Sequence, residues 1–149
     1  MKFNDFSIWI SYMLFPKKVK HRKWQKGRSR AALAKRGAQL AFGSTGIQTD
    51  EQGWLTSRQI EAARRVIVRA IRKRGKMWIR VFPDHPVTTK GNEVPMGGGK
   101  GSVDHYVAPV KPGRILFELD GVPDDVARDT FRVVGHKLPL KTRFVRREK

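Results

Sequence analysis

The chain has 149 residues, the size of one domain with a single hydrophobic core. Its 32 Lys and Arg against 13 Asp and Glu give a formal net charge of +19, so its partner is a polyanion, either nucleic acid or an anionic membrane surface, and small acidic substrates are excluded. The absence of cysteine and the wide spacing of the four histidines exclude disulfides, thiolate catalysis and a short-spaced zinc motif.

Residues 1–12 form an apolar and aromatic N-terminal extension of unknown role. The apolar run from Ile8 to Phe15 is much shorter than the roughly 20 residues that span a bilayer, so a transmembrane helix is not expected. A Pro-Lys-Lys sequence follows the run where a secretory signal would have small residues for cleavage, so export is not expected either. The simplest interpretation is an extension placed before a domain that begins near Met13.

Residues 13–38 predict a basic RNA-binding arm. Residues 17–36 carry ten Lys or Arg and no acid, with Trp24 in the middle and glycines as flexible points. This pattern is typical of an arm that covers phosphates and inserts an aromatic ring for stacking, although a solvated or localisation tail is the alternative for a charged run. The arm residues predicted to bind RNA are Lys17, Lys18, Lys20, Arg22, Lys23, Lys26, Arg28 and Arg30.

The next stretch predicts short strands and then a helix. Residues 39–48 predict two short strand pieces around a Gly-Ser-Thr-Gly turn at residues 43–46. A helix is predicted from Ser57 to Arg74, because Thr56 has the capping-box partner Gln three residues on. Gly75 then suits the left-handed residue that ends a helix.

The predicted helix has one apolar and one cationic face. At 100° per residue, the apolar stripe contains Ile60, Ala63, Ile67, Ala70 and Ile71. Positive charge near the start of a helix is unfavourable, so an external anion is the better explanation for Arg58, Arg64 and Arg65, whereas the helix dipole itself favours Arg72 at the end. The helix residues predicted to face RNA are Arg58, Arg64, Arg65, Arg69 and Arg72.

The second half of the chain predicts further strands, a long loop and a second helix. The predicted elements are a strand over residues 76–82, a Gly- and Pro-rich loop over 84–104, a hairpin of strands 105–110 and 114–119, a helix from Pro123 and a strand over 138–145. The second helix is predicted to pack through Ala127, Thr130, Phe131 and Val134. The order predicts an α+β fold over residues 39–147, with two helices packed on one face of a mostly antiparallel sheet and a charged end at 148–149.

The glycine-rich segment at residues 96–101 is similar in composition to a phosphate-binding P-loop, but it does not match the P-loop motif. Gly101 separates Lys100 from Ser102, and a strand pattern follows in place of a helix. Backbone amides of such a loop can still hold phosphates of a nucleic acid, with Lys100 adding a point charge, and a plain flexible linker is the alternative.

Candidate catalytic residues are few. His85 beside Asp84 and His105 beside Asp104 are the nearest acid–base pairs, and because neighbours in sequence converge poorly on one atom, ordinary loop residues are the better interpretation. The acids are too dispersed for a two-metal site. The tryptophans at positions 54 and 78 are predicted to fill the core.

Ten stretches together carry a family resemblance. They are MLFPKK at 13–18, HRK at 21–23, KGR at 26–28, LTSRQIEAARR at 55–65, RGKMWIRVFPD at 74–84, MGGGKG at 96–101, VKPG at 110–113, LFELDGV at 116–122, HKLPLKT at 136–142 and FV at 144–145. Over about residues 13 to 147 the chain resembles the universal large-subunit ribosomal protein family known in bacteria as L-sixteen. In that family the loop carries Arg and Lys where this chain has Pro95 and Gly98, so two loop cations are missing here.

The resemblance implies a structural protein of the large ribosomal subunit, without enzymatic activity, cofactor or metal. It implies binding to large-subunit rRNA through the arm, organisation of the aminoacyl-tRNA (A) site, and a role in late subunit assembly. The loop implied to face tRNA consists of Met96, Gly97, Gly98, Gly99, Lys100 and Gly101. Implied partners are the rRNA, A-site tRNA with P-site tRNA as a further candidate, and neighbouring ribosomal proteins; neither a membrane nor a homo-oligomer is expected.

Two other classes compete with this hypothesis. An enzyme acting on RNA would depend on His85 or His105, and a cationic membrane-surface protein would use residues 1–12. For location, the resemblance favours a ribosome of the bacterial cytoplasm, with an organellar ribosome as the alternative, because the N-terminal residues make a poor transit peptide.

Overall fold

The computed structural model describes residues 14–27, 32–72 and 75–147. Within these ranges the elements are β1 (Thr45–Thr49), β2 (Gly53–Thr56), α1 (Ser57–Ile71), β3 (Lys76–Ile79), β4 (His85–Thr89), β5 (Ser102–Val110), β6 (Ile115–Asp120), α2 (Asp124–Gly135) and β7 (Thr142–Arg146). All strand pairs are antiparallel, and the predicted α+β class is confirmed. The predicted roles of residues 1–12 and of the charged end at 148–149 lie outside the described residues.

The strands form two sheets, whereas a single sheet was the expectation. One sheet has the order β3-β6-β1-β7 and the other has the order β2-β5-β4. The predicted hairpin of residues 105–110 and 114–119 is therefore wrong, because β5 and β6 pair in different sheets. The turn at Lys111-Pro112-Gly113 carries the chain from one sheet to the other, and the Gly113 amide donates to the carbonyl of Thr49 at 2.7 Å. Side-chain alternation identifies strands but does not say which strands pair, so the sequence pattern could not show this.

The hydrophobic core lies between the two helices and both sheets, and Leu55, Ala108 and Val110 of the three-stranded sheet belong to it. The central strand β6 is buried along Ile115–Leu119, and Phe117 is fully enclosed. The predicted packing residues of α2 are confirmed as buried. On α1, Ile60, Ala63, Ile67 and Ile71 are buried as predicted, but Ala70 is exposed and Glu61 takes a buried place instead. Full burial of each such aliphatic or aromatic side chain contributes about 1.5–3 kcal/mol, so this cluster provides the main stabilisation of the fold.

Helix α1 begins as predicted and ends earlier than predicted. The capping box is present, since the Gln59 amide donates to Thr56 Oγ1 at 3.3 Å and the Thr56 amide donates to Gln59 Oε1 at 2.9 Å. The helix stops at Ile71, and the residue with positive φ is Arg72 at 49°, not Gly75. Glycine at position 75 has a different cause, because a Cβ there would lie 2.6 Å from Val122 Cγ2 and 2.8 Å from the Asp120 carbonyl oxygen.

Two strand predictions in the first sheet need correction. Residues 43–46 do not form a turn between strand pieces, because Thr45 and Gly46 already lie in β1 and the described residues 39–44 contain no strand. The strands predicted over 76–82 and 138–145 are the shorter β3 and β7. Before β7 the chain makes local turn hydrogen bonds, from the Lys137 amide to the Val134 carbonyl and from the Leu138 amide to the Gly135 carbonyl, and so it is not extended there.

Strand β4 was not predicted. Its sequence HPVTT lies in the stretch assigned to the long loop, and the loop that remains spans residues 90–101. Pro86 argues against a central strand because it lacks an amide donor. The structure resolves this conflict by placing β4 at the edge of its sheet, beside β5 only, where a missing donor is tolerated.

The carboxylate of Glu118 is buried at the centre of the molecule. It accepts hydrogen bonds from the amides of Phe42 at 2.7 Å and Gly43 at 2.8 Å, and from the amide of Ala41, and it pairs with the Arg80 guanidinium. Burial raises the pKa of this carboxyl, but the backbone amides and Arg80 outweigh it, so the pKa lies below its ordinary value of 4.5. The site therefore holds a charged carboxylate that joins three separate segments of the chain.

No helix in the described ranges is both long and apolar enough to cross a membrane.

The Glu118→Gln variant should lose about 3 kcal/mol of unfolding free energy, because breaking a buried charge pair leaves Arg80 without its partner. Chemical denaturation of the full chain measures this loss. Glu51→Gln is the matched control, since Glu51 forms an exposed pair with Lys141 and should cost well under about 1 kcal/mol. Similar losses in both variants would contradict the central role of Glu118.

The same carboxylate predicts a pH dependence. Its pKa is lower in the folded than in the unfolded protein, so its contribution is complete above about pH 4.5 and is lost as the pH falls through the lowered value. Between pH 6 and pH 3, the wild-type protein should therefore lose more unfolding free energy than Glu118→Gln does. Parallel pH profiles of the two proteins would show that Glu118 does not titrate in this way.

Candidate nucleic-acid interface

The described residues of the basic arm contact the domain at several points along their length. Leu14 packs partly buried against the core, and the Trp24 ring meets the His85 ring edge-on with centroids 5.3 Å apart. Further along, the amide of Ala34 donates to the carbonyl of Pro112 at 2.8 Å. Of the arm cations predicted to bind RNA, the described ones are all exposed, namely Lys17, Lys18, Lys20, Arg22, Lys23 and Lys26, whereas Arg28 and Arg30 lie outside the described residues. In its described residues the arm thus lies along the protein surface with these cations exposed.

Arg114 fixes the C-terminal part of the arm, and the sequence did not single it out. Its guanidinium donates to the carbonyl of Arg36 at 2.8 Å and to the carbonyl of Arg80 at 3.1 Å. The Ile115 amide adds a hydrogen bond to the carbonyl of Gly37 at 2.9 Å. Residues 36–37 are therefore bound to the start of β6, which fixes the C-terminal end of the arm on the domain.

Three rings and one lysine form the aromatic cluster, defined as Trp24, Lys26, Trp54 and His85. The Trp54 and His85 ring centroids are 5.2 Å apart, and Lys26 Nζ lies 6.0 Å from the centre of the Trp54 ring. Trp54 is half-buried at the surface and does not fill the core as predicted. Trp24, predicted to stack on a base, contacts His85 in this structure, with 40% of its surface still exposed.

Trp78 and its surroundings also depart from the predicted core position. Its ring is half-buried and stacks on Phe42 with centroids 6.0 Å apart, and the Arg80 guanidinium carbon lies 5.1 Å from the centre of the Phe42 ring. Phe42 is exposed on its other side. This stack covers the outer side of the Glu118 site.

The histidines form no catalytic arrangement within the described residues. His85 lies between two tryptophan rings, and His105 Nδ1 contacts Asp104 Oδ2 at 2.7 Å on an exposed stretch of β5. No group of three or more His, Asp or Glu side chains in the described part of the chain is placed to hold a metal ion.

The arginines of α1 divide into two groups. Arg64 Nε donates to Glu61 Oε2 at 2.7 Å and Arg65 Nε donates to Glu61 Oε1 at 3.0 Å. Hydrogen bonding to Arg64 is the main reason that the pKa of Glu61 lies below its ordinary value, and Arg65 adds to it against the effect of burial. Arg64 and Arg65 thus have a local reason for their charge that the sequence argument overlooked, although the i+3 and i+4 spacing from Glu61 was visible. Arg58, Arg69 and Arg72 are exposed.

The glycine-rich loop, residues 90–101, projects from the end of the three-stranded sheet. Gly97, Gly98 and Gly99 have consecutive φ values of 92°, 64° and 94°, a conformation that residues with a Cβ rarely adopt. Met96 at the tip is 100% exposed. Lys90 Nζ donates to the Gly97 carbonyl at 2.6 Å, so this cation stabilises the loop from inside.

The loop and the arm exchange hydrogen bonds. Lys23 Nζ donates to the carbonyl of Lys100 at 2.8 Å, and Lys100 Nζ donates to the carbonyl of Trp24. The arm and the loop, predicted separately as phosphate-binding elements, therefore lie side by side on one cationic region. The cationic side of α1 forms a second region, and both offer ammonium and guanidinium groups to phosphates.

A family model described as ribosomal protein L16p/L10e matches residues 16–145 of the chain. The matched stretch contains both described helices, β1 to β6 and most of β7, the glycine-rich loop and nearly all of the basic arm.

Proposed function

The chain belongs to the ribosomal protein L16p/L10e family, and we propose that it binds large-subunit rRNA through its arm and α1 while its glycine-rich loop contacts A-site tRNA. Membership makes it a structural, non-enzymatic component of the large ribosomal subunit that acts in translation and binds rRNA and neighbouring ribosomal proteins. The proposal adds which surfaces meet which RNA.

The exposed charge of the docked arm supports its assignment to rRNA. Residues 17–36 contain no acid, so no neighbouring carboxylate within the arm neutralises its cations. The arm is held at Leu14, Trp24 and Ala34, so binding costs less conformational entropy than it would for a free tail. On α1, Arg58 and Arg69 extend the cationic surface away from the packed face. Phosphate neutralisation and counterion release would then supply most of the affinity.

The single observation that carries the tRNA assignment is the exposed tip of the glycine-rich loop. Met96 is fully exposed at the tip, and three adjacent glycines keep the backbone free of side chains that would hinder close approach. The family cations are missing at Pro95 and Gly98, and Lys90 is used within the loop. Contact from the tip would therefore depend on the thioether of Met96 and on backbone groups more than on charge. The same position suits P-site tRNA as a second contact.

The proposal includes the time and place of action. An arm and a helix that must both meet phosphate can bind fully only where RNA segments are already folded together, which supports entry at a late step of subunit assembly. Family membership supports a ribosomal location, and within that we propose a bacterial cytoplasmic ribosome, with an organellar ribosome as the alternative. Sucrose-gradient profiles of the endogenous protein at low and high salt should show comigration with the large subunit in both.

The Arg69→Ala variant should bind large-subunit rRNA with a weaker salt dependence, because one phosphate contact is lost. The slope of log K against log salt should fall by about one, as measured with the full chain between 50 and 200 mM salt. Arg132→Ala on α2 removes another exposed arginine, which lies outside the proposed surface, and should leave the slope unchanged. Equal slopes in all three proteins would show that Arg69 does not meet phosphate.

The Met96→Ala variant should weaken A-site tRNA binding about fivefold, since loss of an apolar contact of this size costs about 1 kcal/mol. Incorporation into large subunits should not change. Filter binding of aminoacyl-tRNA to purified variant ribosomes measures the affinity, and gradient profiles measure incorporation. Val126→Ala, which shortens an exposed apolar side chain on α2, is the control. Loss of incorporation together with tRNA binding would count against a separate tRNA-facing role.

A further inference from the structure

The part of the glycine-rich loop from Gly97 to Lys100 accepts hydrogen bonds at both ends, one from a lysine at the start of the loop itself and one from a lysine of the arm. Lys90, directly after β4, donates from Nζ to the Gly97 carbonyl at 2.6 Å. Lys23 of the arm donates from Nζ to the Lys100 carbonyl at 2.8 Å. Gly98 and Gly99 lie between the two clamped carbonyls, and no Cβ at either position would meet another atom within 4 Å. A side chain at either glycine would therefore extend into open space, and the two lysine hydrogen bonds lie on either side of this pair.

The arm–loop contact contains a second hydrogen bond, in which the loop donates and the arm accepts. Lys100 Nζ donates to the carbonyl of Trp24, the residue after Lys23. Each of the two segments thus supplies one ammonium and one carbonyl, although they lie more than 70 residues apart in sequence. A reciprocal pair fixes both the distance and the relative direction of the segments, which a single exposed hydrogen bond does not do.

Trp24 brings this contact to a defined place on the domain. Its ring packs edge-on against His85, the first residue of β4, and its Nε1 donates to the carbonyl of His21 at 3.2 Å. Both clamps therefore depend on β4, because Lys90 follows the strand directly and Lys23 is held beside its first residue. A movement of the arm would release one end of the clamped loop segment and leave the other in place.

Free glycines are costly to order. Five of the twelve residues from 90 to 101 are glycine, and fixing one backbone residue costs about 1–2 kcal/mol, with glycine at the high end. A loop of this composition would sample many positions without the clamps, and its tip would meet a ligand only in a fraction of them. Two exposed charge-assisted hydrogen bonds and one aromatic contact are of the right size to shift such an equilibrium without locking it.

We propose that Lys23, Trp24 and Lys100 are positioning residues that couple the basic arm to the glycine-rich loop. When the arm is bound to rRNA, the reciprocal contact sets the place from which Met96 is presented. The coupling rests on the proposed function for its consequence at tRNA, but the contact itself is a property of the protein alone. Lys23 and Lys100 act in this proposal through the loop backbone, not as direct ligands of tRNA.

Nuclear magnetic resonance relaxation of the free full-length protein tests the contact. In Lys23→Met, the backbone order parameters of Gly98 and Gly99 should fall from near 0.85 to below about 0.6, the values typical of rigid and flexible backbone. Lys100→Met should also release the arm, so the order parameter of Lys23 should fall in that variant. Lys23→Arg keeps a cationic donor and should restore rigidity.

Lys20→Met is the matched control. It removes the same charge from the same arm, and within the described residues Lys20 makes no hydrogen bond to the loop. In Lys20→Met, the order parameters of Gly98 and Gly99 should therefore stay near the wild-type values. Unchanged order parameters in Lys23→Met, or an equal fall in Lys20→Met, would overturn the proposed contact.

Purified large subunits give the second measurement. Lys23→Met should lower A-site tRNA affinity about threefold to fivefold in subunits that have incorporated the protein, Lys20→Met should not, and Lys23→Arg should recover most of the loss. Because both lysines belong to the proposed rRNA-binding arm, incorporation should fall to the same extent in Lys23→Met and Lys20→Met. A loop that loosens in the free protein without any change in tRNA affinity would overturn the coupling. Met96→Ala separates the two proposals, because it leaves the arm–loop contact intact: if it has no effect on tRNA affinity, the tRNA-facing role fails while the order parameters still decide the contact.

Discussion

The buried carboxylate of Glu118 is the interaction on which the remaining structure depends. It lies in the central strand of the larger sheet and is met by three successive backbone amides from residues 41–43 and by Arg80 at the end of β3. A chain with a net charge of +19 has many cations and few acids, and this acid is used to draw three segments together. Burying one charge is costly unless hydrogen bonds satisfy it, and here the donors are already built into the backbone. Arg114 continues the connection, since it links the carbonyl of Arg80 to that of Arg36.

Local signals in the sequence predicted the helices well, and non-local pairing explains the errors in the sheets. The capping box at Thr56 and the apolar periodicity of both helices involve residues within a turn or two, so their physical cause is visible in the sequence. The partners of β5 and β6 depend on which sheet each strand joins, and alternation is the same in either case. The helix end illustrates the same limit. The residue with positive φ there is Arg72, whereas glycine is required at position 75 because a side chain would collide with Val122.

The candidate interface was predicted in its composition but not in its connections. Exposure of the arm cations follows from a run without acids, and the pairing of Glu61 with Arg64 and Arg65 could have been found from their spacing. The contact between Lys23 and Lys100 could not have been found in this way, because neither segment has a local sequence pattern that indicates a partner more than 70 residues away. Trp24 was predicted to stack on a base of the RNA, because an aromatic ring in an isolated basic arm has no protein partner. In the docked arm its ring contacts His85. The arm and the loop thus have the cationic and glycine-rich character that the sequence predicts, and the structure adds that the two segments are in contact.

The topology of the larger sheet affects how the protein is made. Strand β1 pairs with β6 and β7, and Thr45 lies opposite Leu119. A ribosome adds about 5–20 residues per second, so β1 leaves the exit tunnel several seconds before its first partner exists. During that interval the strand has its backbone donors and acceptors unpaired, which favours association between nascent chains. The arm emerges ahead of it, and repulsion between the like-charged arms of neighbouring nascent chains opposes that association.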